Sequence, residues 1–247
     1  MKQKLSAILK SILWCILITL FPICSGVISA VLSLGTVETL LLQAACMALS
    51  LLIPTILVLT RKRSLSEIGL DRFDPEGCRR TLYGLPLLLI FVPHAVRGFS
   101  VPSMGYLIGT LLLYAFVGIA EEVYFRGIVR STLTKAFSAK GVVLWSSVIF
   151  ALGHVASAFT ASGAIEVALN VLNAFLFGWM AVEVAMLHKN LIPIMLVHFL
   201  FDFETKFAVI SGRERLIADL IRGAILFSAA VWLAVVTVQR GRKEETE

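Results

Sequence analysis

Eight long apolar segments constrain the fold of this chain more than any other feature of its sequence. Their bounds are Ser11–Leu34, Val37–Thr60, Tyr83–Val96, Met104–Glu122 or beyond, Gly141–Ser162, Ile165–Leu187, Leu191–Val209 and Ile217–Val238. A bilayer core about 30 Å thick requires roughly 20 apolar residues per helix. The third segment is the shortest and contains Pro86 and Pro93. The sequence therefore predicts an all-α, polytopic membrane bundle with about eight transmembrane helices.

The composition excludes the other fold classes. The 247 residues are 58% hydrophobic and 15% charged, and the mean hydropathy is +0.91. A soluble domain carries roughly 25% charged residues, so this chain cannot cover a soluble surface. The same figures exclude disorder, coiled coil, collagen and a disulfide-stapled secreted domain. Because the chain has no internal repeat and no long linker, we predict one membrane-embedded domain over residues 1–247.

The distribution of basic residues predicts the orientation. If both termini are cytoplasmic, 17 of the 22 Lys and Arg residues lie in inner loops and tails. The other basic residues are Arg97, Lys206, Arg213, Arg215 and Arg222. This asymmetry satisfies the positive-inside rule and predicts a multi-pass protein of the cell membrane. Topology and anionic lipid also explain the net charge of +6, so we expect the bilayer, and not nucleic acid, as a partner.

The first segment and the cysteines indicate no processing and no metal site. The apolar stretch of the first segment exceeds a signal-peptide core, and no clear A-x-A site follows it, which favours an uncleaved helix. Cys15, Cys24 and Cys46 lie in predicted spans, and Cys78 lies in a predicted loop. No C-x-x-C motif is present, so we interpret the cysteines as packing residues.

Ionisable residues within the predicted spans indicate where the function lies. Each costs about 2.5–3.5 kcal/mol at the centre of a spanning helix, and such residues usually face the bundle interior. They concentrate on the fourth to seventh spans: Glu121, Glu122, Arg126, His154, Glu166, Glu183, His198, Asp202 and Glu204. His94 is an outlier on the third span. This asymmetry predicts a catalytic or transport half that is supported by a scaffold half.

Three short motifs carry most of the chemical information: EEVYFR at 121–126, FALGH at 150–154 and HFLFD at 198–202. Glu122 and Arg126 are four residues apart and can form an ion pair, as can His198 and Asp202. Glu121 is rotated about 100° from Glu122 and needs another partner.

Each motif also has a structural interpretation: an interfacial acidic pair, a histidine bonded between helices, or a structural His–Asp pair. Together, however, the carboxylate, the two imidazoles and the fourth polar group can form a site that activates water.

The three motifs in this order resemble the CPBP family of intramembrane proteases. This family includes the prenyl-protein (CAAX) endopeptidases and bacterial relatives tied to bacteriocin processing or self-immunity. Its pattern is E-E-x-x-x-R, then F-x-x-x-H, then H-x-x-x-N or D, on successive membrane helices. The resemblance covers roughly Met104–Phe207, which we interpret as the catalytic motif region within residues 104–207.

The resemblance implies a role for each motif residue. Glu121 matches the catalytic glutamate and His154 its partner in activating water. His198 and Asp202 match the residues that stabilise the oxyanion or organise the site, and Glu122 with Arg126 matches a supporting ion pair.

Position 202 departs from the prenyl-protein endopeptidases, which typically have Asn there. An ionised Asp202 can only accept hydrogen bonds, so it would be protonated, orient His198 or ligate a metal. Two mechanisms stay open: glutamate-driven attack by water without a metal, and a metalloendopeptidase. In the second, Glu121, His154 and His198 would bind a divalent metal such as zinc, although no H-E-x-x-H is present.

The depth of the site makes a prediction about the fourth helix. If that helix ended at Glu122, Glu121 would lie at the membrane surface, too shallow to reach either histidine. We therefore predict a long, tilted fourth helix that continues to about Leu133–Ala136, with the Arg126 head group turned inward. Glu121 would then lie about 18–22 Å from its end.

Two function classes are consistent with the sequence. The first is an endopeptidase that cuts a membrane-associated protein or peptide, reached from the cytoplasm or laterally from lipid. The second is a non-proteolytic membrane protein, either a proton-coupled transporter or an inactive immunity factor. A transporter would more naturally show two related halves. We assign no catalytic role to Glu166, Asn170, Asn173, Glu183 or Glu204.

Overall fold

The computed structural model describes residues 2–71, 88–159, 163–188 and 190–244. The helices are α1 (Lys2–Val31), α2 (Thr36–Ser50), α3 (Leu52–Leu59), α4 (Val92–Ala95), α5 (Met104–Glu122), α6 (Arg130–Leu133), α7 (Ala139–Gly153), α8 (Ala164–Leu187), α9 (Ile192–Thr205) and α10 (Gly212–Glu244). A π-helical segment, Val123–Val129, joins α5 to α6, and a 3-10 segment, His154–Phe159, continues α7. The described residues form no strands, so the predicted all-α bundle is confirmed.

The predicted count of eight spans is not confirmed. Within the described residues, six helical stretches are long and apolar enough to cross a membrane. The third predicted span lies partly outside them, and its described part contains only the four-residue helix α4. The seventh predicted span is the 14-residue helix α9, which is about 21 Å long and therefore shorter than the bilayer core.

The fourth predicted span is long, as the expected depth of Glu121 in the membrane requires. The side chain of Ser103 caps α5 by accepting a hydrogen bond from Tyr106 N at 3.1 Å. From Met104 the helix continues without a break through the π-helical segment to Leu133. The predicted extension past Arg126 is confirmed, and the π-helical geometry within it is a feature that the sequence pattern did not predict.

The helix surfaces are those of a membrane bundle. Helix α1 exposes Leu5, Leu9 and Leu13, whereas Ser11 and Cys15 on its other face are buried. Large exposed apolar side chains are stable in contact with lipid, where there is no water to avoid. Cys15, Cys24 and Cys46 are free thiols, and Cys78 lies outside the described residues.

Segment 64–71 closes one end of the bundle against the π-helical segment. Ile68 is buried, and its carbonyl oxygen would lie only 2.6 Å from a Cβ atom added at Gly127. The N–H of Leu191 donates to the carbonyl of Gly69 at 2.9 Å, and Gly69 has φ +78°, which favours glycine. These contacts fix α9 against the π-helical segment.

We predict that Gly127→Ala destabilises the protein by about 1–3 kcal/mol, because the added methyl group overlaps backbone atoms that cannot rotate away. The control is Gly26→Ala on α1, where an added Cβ has no neighbour within 4 Å and helix propensity improves by up to about 1 kcal/mol. Thermal unfolding of the detergent-solubilised protein measures both effects. Equal midpoints for the two variants would show that segment 64–71 does not pack against Gly127.

Candidate active site

The structure places the residues of the three sequence motifs close together at the centre of the bundle. Glu121 lies in the last turn of α5, His154 directly follows α7, and His198 and Asp202 lie one turn apart on α9. Helix α9 packs against α5, and α7 contacts the π-helical segment. Three separate helices therefore contribute side chains to one region.

His198 is the residue that connects these side chains. Its Nδ1 atom lies 2.7 Å from Oε1 of Glu122, and its Nε2 atom lies 3.5 Å from Oδ2 of Asp202. The same Nε2 atom is 3.8 Å from Oε2 of Glu121. Three carboxylates therefore surround this ring. Because an imidazole can donate to carboxylates from both nitrogens only when it carries both protons, they influence its charge as well as its orientation.

His154 is held by its own helix. Its Nδ1 atom lies 3.0 Å from the carbonyl oxygen of Phe150, and a carbonyl oxygen can only accept, so Nδ1 carries a hydrogen. In the neutral ring Nε2 is then an acceptor and available as a base. The ring also contacts the Phe150 ring, with centroids 4.6 Å apart, so the preceding turn fixes the orientation of the imidazole.

Glu121 and His154 line the same cavity, which has a volume of about 170 Å³. The Oε2 atom of Glu121 is buried and has no hydrogen-bond partner within the described part of the chain. A buried carboxylate oxygen normally has a partner in protein or water, and a cavity of this size holds several water molecules. The arrangement can therefore hold water between a carboxylate and an imidazole.

The first helix forms part of the cavity wall. Ile18, Thr19 and Pro22 of α1 line the cavity, as does Asn170 of α8. The first span, which we expected to belong to a supporting scaffold half, therefore also contacts the site directly. The only signal for this role in the sequence is the pair of Thr19 and Pro22 within an apolar span.

The predicted ion pair of Glu122 and Arg126 is confirmed. The Nη1 atom of Arg126 lies 3.0 Å from Oε1 of Glu122, and both side chains are fully buried. The guanidinium group stacks over the Phe150 ring at 4.1 Å from its centroid, and Phe177 lies 4.7 Å from His198 between ring centroids. Sequence reasoning did not identify Phe177, which resembles any other apolar residue of its span.

The remaining polar residues of the spans lie apart from this cluster or at its edge. Glu204 forms an ion pair with the buried side chain of Arg222, and His94 lies 3.1 Å from Asp219. Asn173 donates to the carbonyl of Asp219 at 3.1 Å. These contacts join α4, α8 and α9 to α10, so they are interhelical contacts and not members of the site.

The possible metal ligands do not form a metal centre in this arrangement. Among the described residues, no three His, Cys, Asp or Glu side chains are grouped closely enough to hold a metal ion. Glu121, His154 and His198 therefore do not fit the expected zinc set here, and the chemistry proposed below is derived from the side chains alone.

The fold and the cluster define a polytopic membrane protein with a buried, water-accessible polar site. Residues 103–203 match the family model of the type II CAAX prenyl endopeptidases, Rce1-like, and this range contains all three motifs. The match agrees with the resemblance to the CPBP and CAAX proteases that the motifs indicate. The match supports an intramembrane CAAX-type endopeptidase function in general terms. Searches of curated proteins and of solved structures found no match.

We predict that Glu122→Gln or Arg126→Met alone destabilises the protein by about 3–5 kcal/mol, because each leaves one buried charge unpaired. The double variant should lose less than the sum of the two single variants, since it removes both charges. Thermal unfolding in detergent provides the measurement. The control is Arg97→Ala, which breaks an exposed ion pair with Glu214 that is worth at most about 1 kcal/mol. Additive losses in the double variant would argue against coupling of the buried pair.

Proposed function

We propose that this protein is an intramembrane endopeptidase that hydrolyses a peptide bond of a membrane-associated protein or peptide through a water molecule activated by Glu121 and His154. The observation that carries the proposal is that both side chains line one cavity, and that the buried Oε2 atom of Glu121 has no hydrogen-bond partner among the described residues. General-base catalysis requires such a base within reach of its water.

In the proposed reaction, one proton passes from water to Glu121 and later to the leaving nitrogen. Glu121 accepts a proton from the water as the water oxygen bonds to the peptide carbonyl carbon, and a tetrahedral intermediate forms. The C–N bond then breaks, and the proton passes to the leaving nitrogen, either from Glu121 or through His154. The products are a carboxylic acid and an amine, and no oxidant or covalent enzyme intermediate is needed.

His198 is suited to stabilise the oxyanion of this intermediate. It is buried beside Glu121. Glu122 lies 2.7 Å from its Nδ1 atom, and its Nε2 atom, which lies 3.5 Å from Asp202, is the one that would donate to the oxyanion. In this account Asp202 acts by orienting His198, since an ionised carboxylate cannot donate to an oxyanion. Arg126 balances the charge of Glu122, so that Glu122 can bind His198 without leaving a net negative charge in the bundle.

Substitution of the two central residues tests the proposal. We expect Glu121→Gln and His154→Ala each to lower the cleavage rate by about 10²–10⁴-fold, the usual contribution of a positioned acid or base. The assay uses the purified protein with a fluorogenic farnesylated CAAX peptide and with the same peptide lacking the prenyl group. Comparison of the two peptides also tests whether the substrate is prenylated.

The matched control is Glu214→Gln, which removes an exposed carboxylate that pairs with Arg97 and should leave the rate unchanged. Unchanged cleavage by both Glu121→Gln and His154→Ala would contradict the mechanism. We expect chelation by 1,10-phenanthroline to have no effect, whereas a loss of activity that zinc restores would assign the activation of water to a metal.

A separate prediction concerns Asp202. If it orients His198, Asp202→Asn should lower kcat by about 10–150-fold, the value of one charged hydrogen bond, with little change in KM. Steady-state kinetics of the correctly folded variant measures the split between kcat and KM. An equal or higher kcat for Asp202→Asn would instead indicate that an amide at this position donates directly to the oxyanion.

A further inference from the structure

Asn170 of α8 is a polar residue to which the proposed reaction gives no role. It lines the catalytic cavity, which is the cavity that Glu121 and His154 also line, and it is the one carboxamide among the described lining residues. It is exposed and forms no hydrogen bond with the described part of the chain. Asn173, three residues further along α8, instead donates to the carbonyl of Asp219 at 3.1 Å. Asn173 therefore joins two helices, and Asn170 requires another explanation.

The position of Asn170 within a span makes a carboxamide without partners costly. Asn170 lies six residues after Ala164, the first residue of α8, which is about 9 Å along the helix. This helix is long and apolar enough to cross a membrane. An amide that loses its hydrogen bonds in an apolar medium costs roughly 2–7 kcal/mol. The donor and acceptor groups of Asn170 are therefore expected to meet water or a polar ligand.

The turn that carries Asn170 lies between two cavities. The catalytic cavity, at about 170 Å³, is smaller than the roughly 300–1,000 Å³ of sites for drug-sized ligands. Ala168, Val171 and Leu172 line a second cavity of about 960 Å³, whose described lining residues are all apolar. The second cavity is suited to apolar side chains, whereas the catalytic cavity has room for only a short length of peptide backbone.

A peptide backbone fits the free groups of Asn170. Away from water, the N–H and C=O groups of a peptide must find partners in the protein. A carboxamide has both donor hydrogens and an acceptor oxygen, so one Asn side chain can pair with the N–H and the C=O of an extended peptide. Thr19, which also lines the cavity, already donates its hydroxyl hydrogen to the carbonyl of Cys15 at 2.8 Å. Thr19 can therefore only accept, whereas Asn170 can bind both backbone groups.

We propose that Asn170 binds the backbone of the substrate peptide beside the scissile bond. Its carboxamide accepts a hydrogen bond from a backbone N–H and donates one to a backbone C=O, while Glu121 and His154 hold the attacking water. This contact rests on the hydrolysis proposed above, but it belongs to peptide binding and not to the chemical step. Interactions that bind substrate and transition state equally change KM and leave kcat unchanged.

Equilibrium binding without cleavage separates this contact from catalysis. The assay adds the fluorescent farnesylated CAAX peptide, or the same peptide without the prenyl group, to Glu121→Gln protein in detergent and records fluorescence anisotropy. We expect Asn170→Ala in that background to weaken binding by about 5–150-fold, the value of two hydrogen bonds. With Glu121 present, Asn170→Ala should raise KM and leave kcat unchanged.

N-methylation of the peptide identifies the backbone group that Asn170 contacts. Methylation of one N–H near the scissile bond should weaken binding to the parent protein but not to Asn170→Ala, whereas methylation elsewhere should affect both proteins alike. A purely structural role of Asn170 would not produce this difference. Because Asn170 makes no hydrogen bond within the described residues, Asn170→Ala should also leave the midpoint of thermal unfolding no lower.

The matched control is Gln43→Ala on α2. Gln43 is also a carboxamide within a span that forms no hydrogen bond with the described residues, but it does not line the catalytic cavity. Its substitution should leave peptide binding unchanged.

Equal binding by the parent protein and Asn170→Ala would overturn the proposed contact, as would a fall in kcat at constant KM. Failure of the parent protein to bind either peptide would also overturn it, because a backbone contact does not depend on the side chains of the peptide. Continued cleavage by Glu121→Gln would instead contradict the proposed hydrolysis, and the binding comparison would still decide the role of Asn170.

Discussion

The fully buried ion pair between Glu122 and Arg126 is the interaction on which the rest of the structure depends. Neither charge can remain in the bundle without the other, so the helix must continue past Arg126 inside the protein. The same Oε1 atom of Glu122 that faces Arg126 also lies 2.7 Å from Nδ1 of His198, which brings α9 to α5. Arg126 stacks on Phe150 and so brings α7 to the same point. One pair of charges thus joins the three helices that carry the motifs.

The shape of the site follows from this arrangement. Helix α9 is shorter than the bilayer core, and segment 64–71 packs against the π-helical segment at one end of the bundle. The cavity at Glu121 lies between α1, α8 and the segment after α7. In this account the apolar helices exclude bulk water, and the cavity admits the few molecules that the proposed hydrolysis needs.

The sequence predicted the parts of the structure that depend on charge and periodicity. A spacing of four residues was enough to predict the Glu122–Arg126 pair, and the cost of a shallow Glu121 was enough to predict the long fourth helix. The π-helical geometry was not predicted, because neither the apolar pattern nor the charge spacing distinguishes it from an α-helix; in the structure, Gly127 of this segment lies against the backbone of Ile68. The proximity of Thr19 and Phe177 to the site also escaped prediction, since tertiary packing alone distinguishes them from neighbouring residues.

Glu183 and Glu121 show the same limit of prediction from sequence. Both are acids within apolar spans, and only the structure shows that one lies beside two histidines and the other in a separate cavity that Lys140 also lines. Sequence motifs identified the first because its neighbours form a pattern along the chain. The surroundings of Glu183 come from three helices, and no local pattern records them.

The most direct test of the central claim is a single turnover of peptide cleavage in H₂¹⁸O, followed by mass spectrometry of the product and of the protein. Attack by a water molecule activated by Glu121 predicts one ¹⁸O atom in the new carboxyl group and none in the protein. Incorporation of ¹⁸O into the Glu121 carboxylate would contradict this account, because it would show that Glu121 itself attacks the peptide and forms a covalent anhydride.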